Sequence, residues 1–398
     1  LVEVNETSGV GAISLTKVAG GEPTLFNSRR YMGNGSTRAI SNFEFAPDLV
    51  WVKNRDATQH HALFDTVRGA TKRLISNLNG AEDTQATFLT AFNSDGYTIG
   101  SSSDSMNADG QAIVAWAFKA GGPPSSSALS LSGGVGAGTI ANQTTGVSGV
   151  ESITQSVNQN SGFSITKYTG TGTGNGAFPH NLDGTPDWVI VKKLTGTGRS
   201  WCVWHSGQTN ATSTGSDTPN LYLDQTIASQ TNHDGPSGYG IVQPPSNTLI
   251  SFNAGNSDNS NVCADDVDYI CYAWKAVSGV SAFGSYTGTS NGNKVTTNFR
   301  PRWIMTKASS NSSSYTSWTI IDAFRSDLSG SSELDADATT STLATLYADQ
   351  NKIENKRAGD TGASNTKVII YDDGFKFTEG QDETNNTGGW TYIYMAFA

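Results

Sequence analysis

The chain has 398 residues, of which 15% are charged and 44 are glycine, and its formal net charge is −10. No run of Lys or Arg exceeds a pair and no stretch of about 20 apolar residues occurs, which excludes a nucleic-acid-binding surface and a membrane-spanning helix. The high content of Gly, Ser, Thr and Asn disfavours long helices, because these residues prefer turns and strands. We therefore predict an all-β protein with many loops.

Changes in amino-acid composition along the chain predict three domains. Residues 1–24 are predicted to be a lead-in strand and linker, followed by a first β-sandwich repeat over 25–122. The segment 123–150 is rich in Gly, Ser and Thr, contains no aromatic residue and almost no charge, and is interpreted as a linker or extended arm. The second and third repeats are assigned to residues 151–279 and 280–398.

The repeats are predicted from a head strand that occurs three times, with a lysine six residues after a proline. The three pairs are Pro47 and Lys53, Pro186 and Lys192, and Pro301 and Lys307. A closing strand follows each copy and has an aromatic residue after an alanine, at Phe118, Trp274 and Phe397. A period above a hundred residues has the size of a whole domain. We predict three related β-sandwich domains in tandem, of jelly-roll or lectin-like type.

The tryptophans and the recurring lysines of the head strands are interpreted as framework residues. Tryptophans within apolar runs are predicted to fill the sandwich cores and the seams between domains. Lys53, Lys192 and Lys307 end their strands, so they are predicted to face solvent, or alternatively to form salt bridges at a subunit interface.

The cysteines and histidines give no catalytic or metal-binding pattern. Cys202, Cys263 and Cys271 are predicted to be small buried residues, with a disulfide between Cys263 and Cys271 as an open alternative. The five histidines do not recur at equivalent positions in the three copies and form no known catalytic motif. Structural or solvent-facing roles are therefore expected for them.

Two groups of loop residues are candidate ligand contacts. Acidic residues cluster in one Asn- and Ser-rich loop, at Asp258, Asp265, Asp266 and Asp268. Oxygen ligands at short spacing can hold Ca²⁺, although this spacing is not that of an EF-hand, and a solvated acidic loop is the competing interpretation. Tyr239 and Tyr315 are loop aromatics that could stack on a sugar ring. No other cofactor is expected.

Four stretches of the sequence carry a resemblance to a known family. They are residues 47–55, 61–70, 92–97 and 392–398. With these motifs the chain resembles a family of repeat-bearing virion proteins of tailed phages, common in cyanophages and other marine phages. The resemblance implies a tail-fibre, tail-spike or particle-surface component, and it brings no catalytic residues with it. The third copy departs from the motif, with Arg302 in place of the aspartate.

These observations together predict a structural component of a phage particle and not an enzyme. We expect a tail fibre or surface protrusion on the virion that attaches to a host, with a surface glycan as the receptor and other virion proteins as partners. A homo-oligomer is expected, and a trimer is favoured. The alternatives are a capsid decoration protein, an envelope polysaccharide depolymerase, which would need two carboxylates facing across a cleft, and a bacterial adhesin.

Overall fold

All regular structure in the described part of the chain is β-strand. The computed structural model describes residues 25–101, 105–172, 175–208, 210, 213–214, 218–230, 240–253, 260–289, 292–311, 316–325, 345–354, 368–377 and 387–398. The named strands pair antiparallel, the one parallel contact in the described residues being an isolated bridge between Ala128 and Thr139, and no helix occurs among these residues. The predicted all-β fold is therefore confirmed.

Unit 1 comprises the first nine strands. They are β1 (Phe26–Met32), β2 (Arg38–Ile40), β3 (Leu49–Asn54), β4 (Ala62–Asp65), β5 (Lys72–Arg73), β6 (Asp83–Thr84), β7 (Leu89–Asn93), β8 (Gly96–Ile99) and β9 (Ala112–Phe118). A large sheet has the order β1-β9-β3-β4, and a small sheet has the order β2-β8-β7. The short strands β5 and β6 pair with each other.

Unit 2 comprises the next ten strands. They are β10 (Val135–Ile140), β11 (Val150–Asn158), β12 (Phe163–Gly170), β13 (Ala177–Pro179), β14 (Trp188–Lys193), β15 (Cys202–His205), β16 (Leu221–Tyr222), β17 (Ile241–Val242), β18 (Leu249–Asn253) and β19 (Val267–Trp274). The large sheet has the order β10-β11-β12-β19-β14-β15-β16, and the small sheet has the order β13-β18-β17.

Unit 3 comprises the last eight strands. They are β20 (Ser281–Thr287), β21 (Lys294–Thr296), β22 (Trp303–Ala308), β23 (Thr319–Asp322), β24 (Thr345–Tyr347), β25 (Val368–Tyr371), β26 (Gly374–Phe377) and β27 (Thr391–Phe397). The large sheet has the order β20-β27-β22-β23-β24, and the small sheet has the order β21-β26-β25.

The three units arrange their strands in the same order. In each large sheet one strand that precedes the head strand in the chain pairs with the closing strand, which pairs with the head strand, as in β1-β9-β3, β12-β19-β14 and β20-β27-β22. In unit 2, β10 and β11 come before this set. The registers are also the same, because the first residue of each head strand lies opposite the last residue of its closing strand. These pairs are Leu49 and Phe118, Trp188 and Trp274, and Trp303 and Phe397. The residue limits assigned to the domains stay predictions.

Part of the segment predicted as a linker is a strand. Strand β10 lies within residues 123–150 and pairs with β11 along its whole length. A Cβ atom on Gly136 would lie 2.0 Å from the carbonyl oxygen of Ser130. Glycine is therefore needed here for close packing, because the chain doubles back against the strand. The linker interpretation is wrong for residues 135–140, since their glycines make room and do not indicate flexibility.

The head and closing strands bury both faces. Val50 and Val52 pack into the sandwich core of unit 1, whereas Leu49 and Trp51 point into a central core to which all three units contribute. Burial on both faces explains why these strands are continuous apolar runs and do not alternate with polar residues. The closing aromatics meet in the central core, where the Phe118 ring lies 5.2 Å from that of Phe397 and 5.8 Å from that of Trp274.

Candidate functional site

A ring of aromatic donors links the three units. His61, Trp201 and Trp318 each immediately precede the strand that follows the head strand. Each is buried, and its ring N–H donates to a backbone carbonyl of a neighbouring unit. The pairs are Trp201 Nε1 with Ile75 O at 3.0 Å, Trp318 Nε1 with Tyr222 O at 2.8 Å, and His61 Nε2 with Tyr347 O at 3.0 Å. We define these three interfaces as the seams.

The hydrogen bonds of His61 fix its tautomer and exclude it as a proton donor to a substrate. The indole of Trp51 donates to Nδ1 at 2.8 Å, so the ring proton lies on Nε2, which faces the carbonyl of Tyr347. Burial keeps the pKa of His61 well below its usual range, with Lys53 adding to the effect. His61 is therefore a neutral seam residue. The sequence places His61 at the start of the same apolar segment as the two tryptophans, but it does not reveal the hydrogen-bonding role that the three side chains share, because the residue type differs.

A second ring joins the closing strands to the strand ends of neighbouring units. Trp116 Nε1 donates to Asp322 Oδ2 at 2.8 Å, and Tyr272 Oη donates to Asp65 Oδ2 at 2.7 Å. Both acceptors are carboxylates that hold a buried arginine three residues later, through pairs of 2.5 Å. These aspartates are therefore fully used in the framework and are not free for catalysis.

The third position of this ring reverses the direction of the hydrogen bond. The register places Met395 where the other closing strands have Trp116 and Tyr272, and methionine cannot donate. The facing residue is His205, which occupies the position of the two aspartates and contacts the carbonyl of Tyr394 through Nε2 at 3.1 Å. Gly207 N–H donates to its Nδ1, so Nε2 is the donor. Burial lowers the pKa of His205 to about 3 and keeps the imidazole neutral.

The three recurring lysines are buried at the seams. The prediction that they face solvent at the strand ends is wrong. Lys192 Nζ donates to Asn79 O of unit 1 at 2.9 Å, and Lys307 Nζ donates to Thr226 O of unit 2 at 2.8 Å. Burial lowers the pKa of Lys192 to about 7 and that of Lys53 to about 8. The solvent-facing interpretation is wrong because the neighbouring unit covers the strand end. The partners of Lys192 and Lys307 are carbonyl oxygens within the chain.

The predicted acidic cluster does not assemble into a metal site in the described residues. Asp265 and Asp266 are exposed in the turn before β19. Asp268 instead pairs with Lys167 at 2.8 Å and accepts a hydrogen bond from Thr169 Oγ1 at 2.7 Å. Across the described ranges, no three His, Cys, Asp or Glu side chains come together where a metal ion could bind. Asp258 lies outside the described residues.

The two candidate ligand-binding tyrosines cannot be placed. Tyr239 and Tyr315 both lie outside the described residues. Their contact with a sugar stays a prediction.

The three cysteines are buried unpaired thiols, as predicted, and the alternative disulfide is not formed. Cys202 Sγ lies 2.7 Å from Asn220 Oδ1, and Cys263 Sγ lies 2.9 Å from the carbonyl oxygen of Gly149. Burial raises the pKa of Cys202 to about 12, so the thiol stays protonated and unreactive.

A groove of about 540 Å³ lies between the loop after β10 and the small sheet of unit 2. Its lining combines hydroxyl and amide side chains with aliphatic ones, and no charged residue occurs among the described residues that line it. The lining residues are Leu131, Thr144, Thr145, Gly146, Gln159, Pro179, Asn181, Leu182, Asn247, Thr248 and Leu249. A Cβ atom on Gly146 would lie 2.6 Å from Leu249 Cδ2, so glycine lets the loop approach the sheet. We define this feature as the unit 2 groove.

The unit 2 groove combines half-buried side chains held by hydrogen bonds with exposed ones. Gln159 Nε2 donates to Asn181 O at 2.9 Å, and Asn181 Nδ2 donates to Gln155 Oε1 at 2.7 Å, so both side chains are held in place. Thr144 and Asn247 are exposed at the rim. A groove of this chemistry suits a neutral, hydroxyl-rich ligand, because ionic groups would find no counter-charge in the lining.

The fold and these contacts define an all-β protein in which three sandwich units enclose a shared core. The chain belongs to the family described as domain of unknown function DUF7483, whose sequence model matches residues 22–398. That match spans all three units. No curated protein and no solved structure matches the chain. Among the described residues there is no helix with the length and apolarity to cross a membrane.

Proposed function

We propose that the chain is a structural component of a tailed-phage particle, part of a tail fibre or other surface protrusion that contributes to host attachment. The observation that carries this proposal is the use of buried ionisable and aromatic side chains at the seams. His61, His205 and Lys192 each bond to a backbone carbonyl of another unit. The buried polar side chains therefore hold the units together.

The resemblance of residues 47–55, 61–70, 92–97 and 392–398 to phage virion proteins supports the same proposal. A rigid β-framework with variable loops is a common basis for recognition, since loops tolerate change while the framework persists. The described residues vary in this way, because the loop that lines the unit 2 groove follows β10, and β10 has no counterpart in the described large sheets of units 1 and 3.

We propose the unit 2 groove as the position for the surface glycan. Its rim hydroxyls and amides can exchange hydrogen bonds with sugar hydroxyls, and its leucines can pack against the apolar face of a pyranose. The absence of charge in the lining favours a neutral glycan over an acidic one.

Gold labelling of the particle tests the location. Antibody against the purified chain would be applied to intact phage particles that encode it and imaged by negative-stain electron microscopy. Label on the tail or baseplate supports attachment, whereas label on the capsid faces would favour the decoration alternative. Particles that carry no label in either place, from a lysate in which the chain is expressed, would contradict a virion role.

Oligosaccharide titration tests the groove. Neutral maltotriose and N,N′,N″-triacetylchitotriose would be compared with an anionic trigalacturonate by isothermal calorimetry. Thr144→Arg places a large cation at the rim, and we expect it to weaken binding of a neutral probe at least tenfold. Thr296→Arg, on the exposed strand β21, is the matched control and should bind like the wild type. Equal binding by both variants would reject the groove as the binding site.

Release of reducing ends from host envelope polysaccharide would instead indicate a depolymerase.

A further inference from the structure

The three seams are copies of one interface. Besides the aromatic donors, each seam contains a backbone hydrogen bond to the carbonyl of the residue two positions after the recurring lysine. These bonds are Glu82 N with Leu194 O at 3.0 Å, Ser229 N with Ser309 O at 3.0 Å, and Glu354 N with Arg55 O at 2.9 Å. The first joins units 1 and 2, the second joins units 2 and 3, and the third joins units 3 and 1. An interface of two different surfaces that repeats three times and returns to its start is a closed ring.

The seam between units 3 and 1 is as complete as the other two. His61 contacts Tyr347, Trp116 contacts Asp322, and the Arg55 guanidinium pairs with Glu354 at 2.6 Å. Glu354 also pairs with Arg325 at 2.8 Å, and Arg325 pairs in turn with Asp322 at 2.5 Å, so each of these four side chains has a partner of opposite charge.

The ends of the described strands meet where neighbouring units join. The Phe397 ring, at the end of β27, lies 5.2 Å from that of Phe26, at the start of β1. The equivalent junction between units 1 and 2 brings Phe118 within 6.1 Å of Phe163. Unit 3 therefore contacts unit 1 in the same way as unit 1 contacts unit 2.

We propose that the chain is a closed, single-chain counterpart of a homotrimer. The seam surface of each unit is a docking surface for a second unit of the same kind, and the three surfaces satisfy one another within one molecule. The framework then leaves no seam for another chain to occupy, so the protein works as a monomer. This proposal replaces the homotrimer of chains that the sequence favours, and it does not depend on where the protein lies in a particle.

A functional consequence follows for ligand stoichiometry. A homotrimer would present three identical grooves, whereas one chain carries the unit 2 groove once. The fused units are free to diverge, as the exchange of aspartate for His205 opposite Met395 illustrates. The chain therefore has a framework of three similar units, of which unit 2 carries the proposed glycan-binding groove.

Cleavage between the units tests the proposal on the chain of residues 1–398. Specific protease sites would be inserted between Ser125 and Ser126 and between Ser278 and Gly279, which are exposed junction positions. The uncut protein should give a native mass close to 41.9 kDa plus the inserts. After complete cutting, confirmed by denaturing mass spectrometry, the three fragments should remain together with no loss of native mass.

Two results would overturn the proposal. One is an intact chain that runs at three times the monomer mass at micromolar concentration. The other is a cut protein that releases the fragment after Ser278, which would show that the seams do not hold the third unit. Variants with a single site are cut in parallel, so that misfolding caused by one insertion is recognised by its circular dichroism before cutting.

Discussion

His61 donates from Nε2 to the carbonyl oxygen of Tyr347 at 3.0 Å, although 286 residues separate them in the chain. This bond occupies the place that Trp201 and Trp318 fill at the other two seams. The ring is thus closed by a smaller donor, which retains the N–H group and loses part of the apolar area of an indole. The hydrogen-bond donor is the shared property, and this explains how histidine can stand where the other units have tryptophan.

Removal of one seam hydrogen bond should cost more than removal of an equivalent indole that has no partner. Trp318→Phe removes one of the two donors to the carbonyl of Tyr222, which also accepts from Gln225 N–H at 3.2 Å. We therefore expect an extra loss of about 0.5–1.5 kcal/mol in the free energy of unfolding, the net value of one hydrogen bond. Trp303→Phe is the matched control, because Trp303 is also buried but its Nε1 has no hydrogen-bond partner. Urea denaturation followed by fluorescence measures both. Equal losses in the two variants would show that the seam bond contributes nothing.

Much of the framework could be predicted from the sequence, because it depends on local patterns. The head strands and closing strands are continuous apolar runs, and the Asp-Gly pairs at Asp95 and Asp373 mark the hairpins β7–β8 and β25–β26. The buried state of the tryptophans also follows from their position within these runs.

The hydrogen-bond partners at the seams could not be predicted, because they are far apart in the chain and the donors differ in residue type. Lys192 looks like a solvent-facing strand end until unit 1 covers it with the carbonyl of Asn79. The unit 2 groove was missed for a related reason, since Gly146 and the strand β10 lie in a segment whose composition is typical of linkers. In both cases the deciding fact is close packing between distant segments.

Acid should destabilise the protein partly through His205. Burial lowers its folded-state pKa to about 3, below the usual 6.5, so the unfolded chain binds the proton more readily between these values. The contribution of this group to stability is complete above pH 6.5 and is lost as the pH falls toward 3. His205→Gln cannot titrate. Its stability relative to the wild type should therefore improve by up to about 1.4 kcal/mol per pH unit between pH 6 and pH 4.

Urea midpoints at each pH provide the measurement for His205. His60→Gln serves as a comparison, because His60 is only half-buried and should change the slope less. Parallel pH profiles for the wild type and His205→Gln would exclude this residue as a cause of acid sensitivity.

Alkaline conditions should stabilise the protein through Lys192. Its folded-state pKa is about 7 against 10.5 in a free side chain, with burial as the main cause. The unfolded chain therefore binds more protons between these values, and the cost of burying the charge disappears as the pH rises. In Lys192→Met that cost is already absent at every pH. The free energy of unfolding of the wild type should therefore rise relative to that of the variant from pH 7 to pH 10. Lys352→Met, at an exposed position, should show a constant difference. Thermal unfolding across this range measures both, and a constant difference for Lys192→Met would contradict the expectation.

The three thiols should be inert in the native protein. Cys202, Cys263 and Cys271 are buried, and burial raises the pKa of each, so neither access nor the reactive thiolate is available. Ellman's reagent should detect less than a tenth of a thiol per chain without denaturant and three in guanidinium. Rapid modification of one cysteine under native conditions would show that unit 2 opens locally.

A circular permutant should fold to the same ring. Ala398 would be joined to Leu1, so that residues 1–24 serve as the connection, and new ends would be opened between Ser278 and Gly279. The permutant keeps every seam, because Phe26 and Phe397 already lie in contact and the exposed turn at Gly279 crosses no sheet. We expect a monomer whose free energy of unfolding lies within about 2 kcal/mol of the wild type, since the seam contacts outweigh the change in chain connectivity. The matched control opens the chain between Val114 and Ala115, inside the buried strand β9, and should fail to fold. A permutant opened at Gly279 that aggregates or forms trimers would show that the third seam depends on the original order of the units.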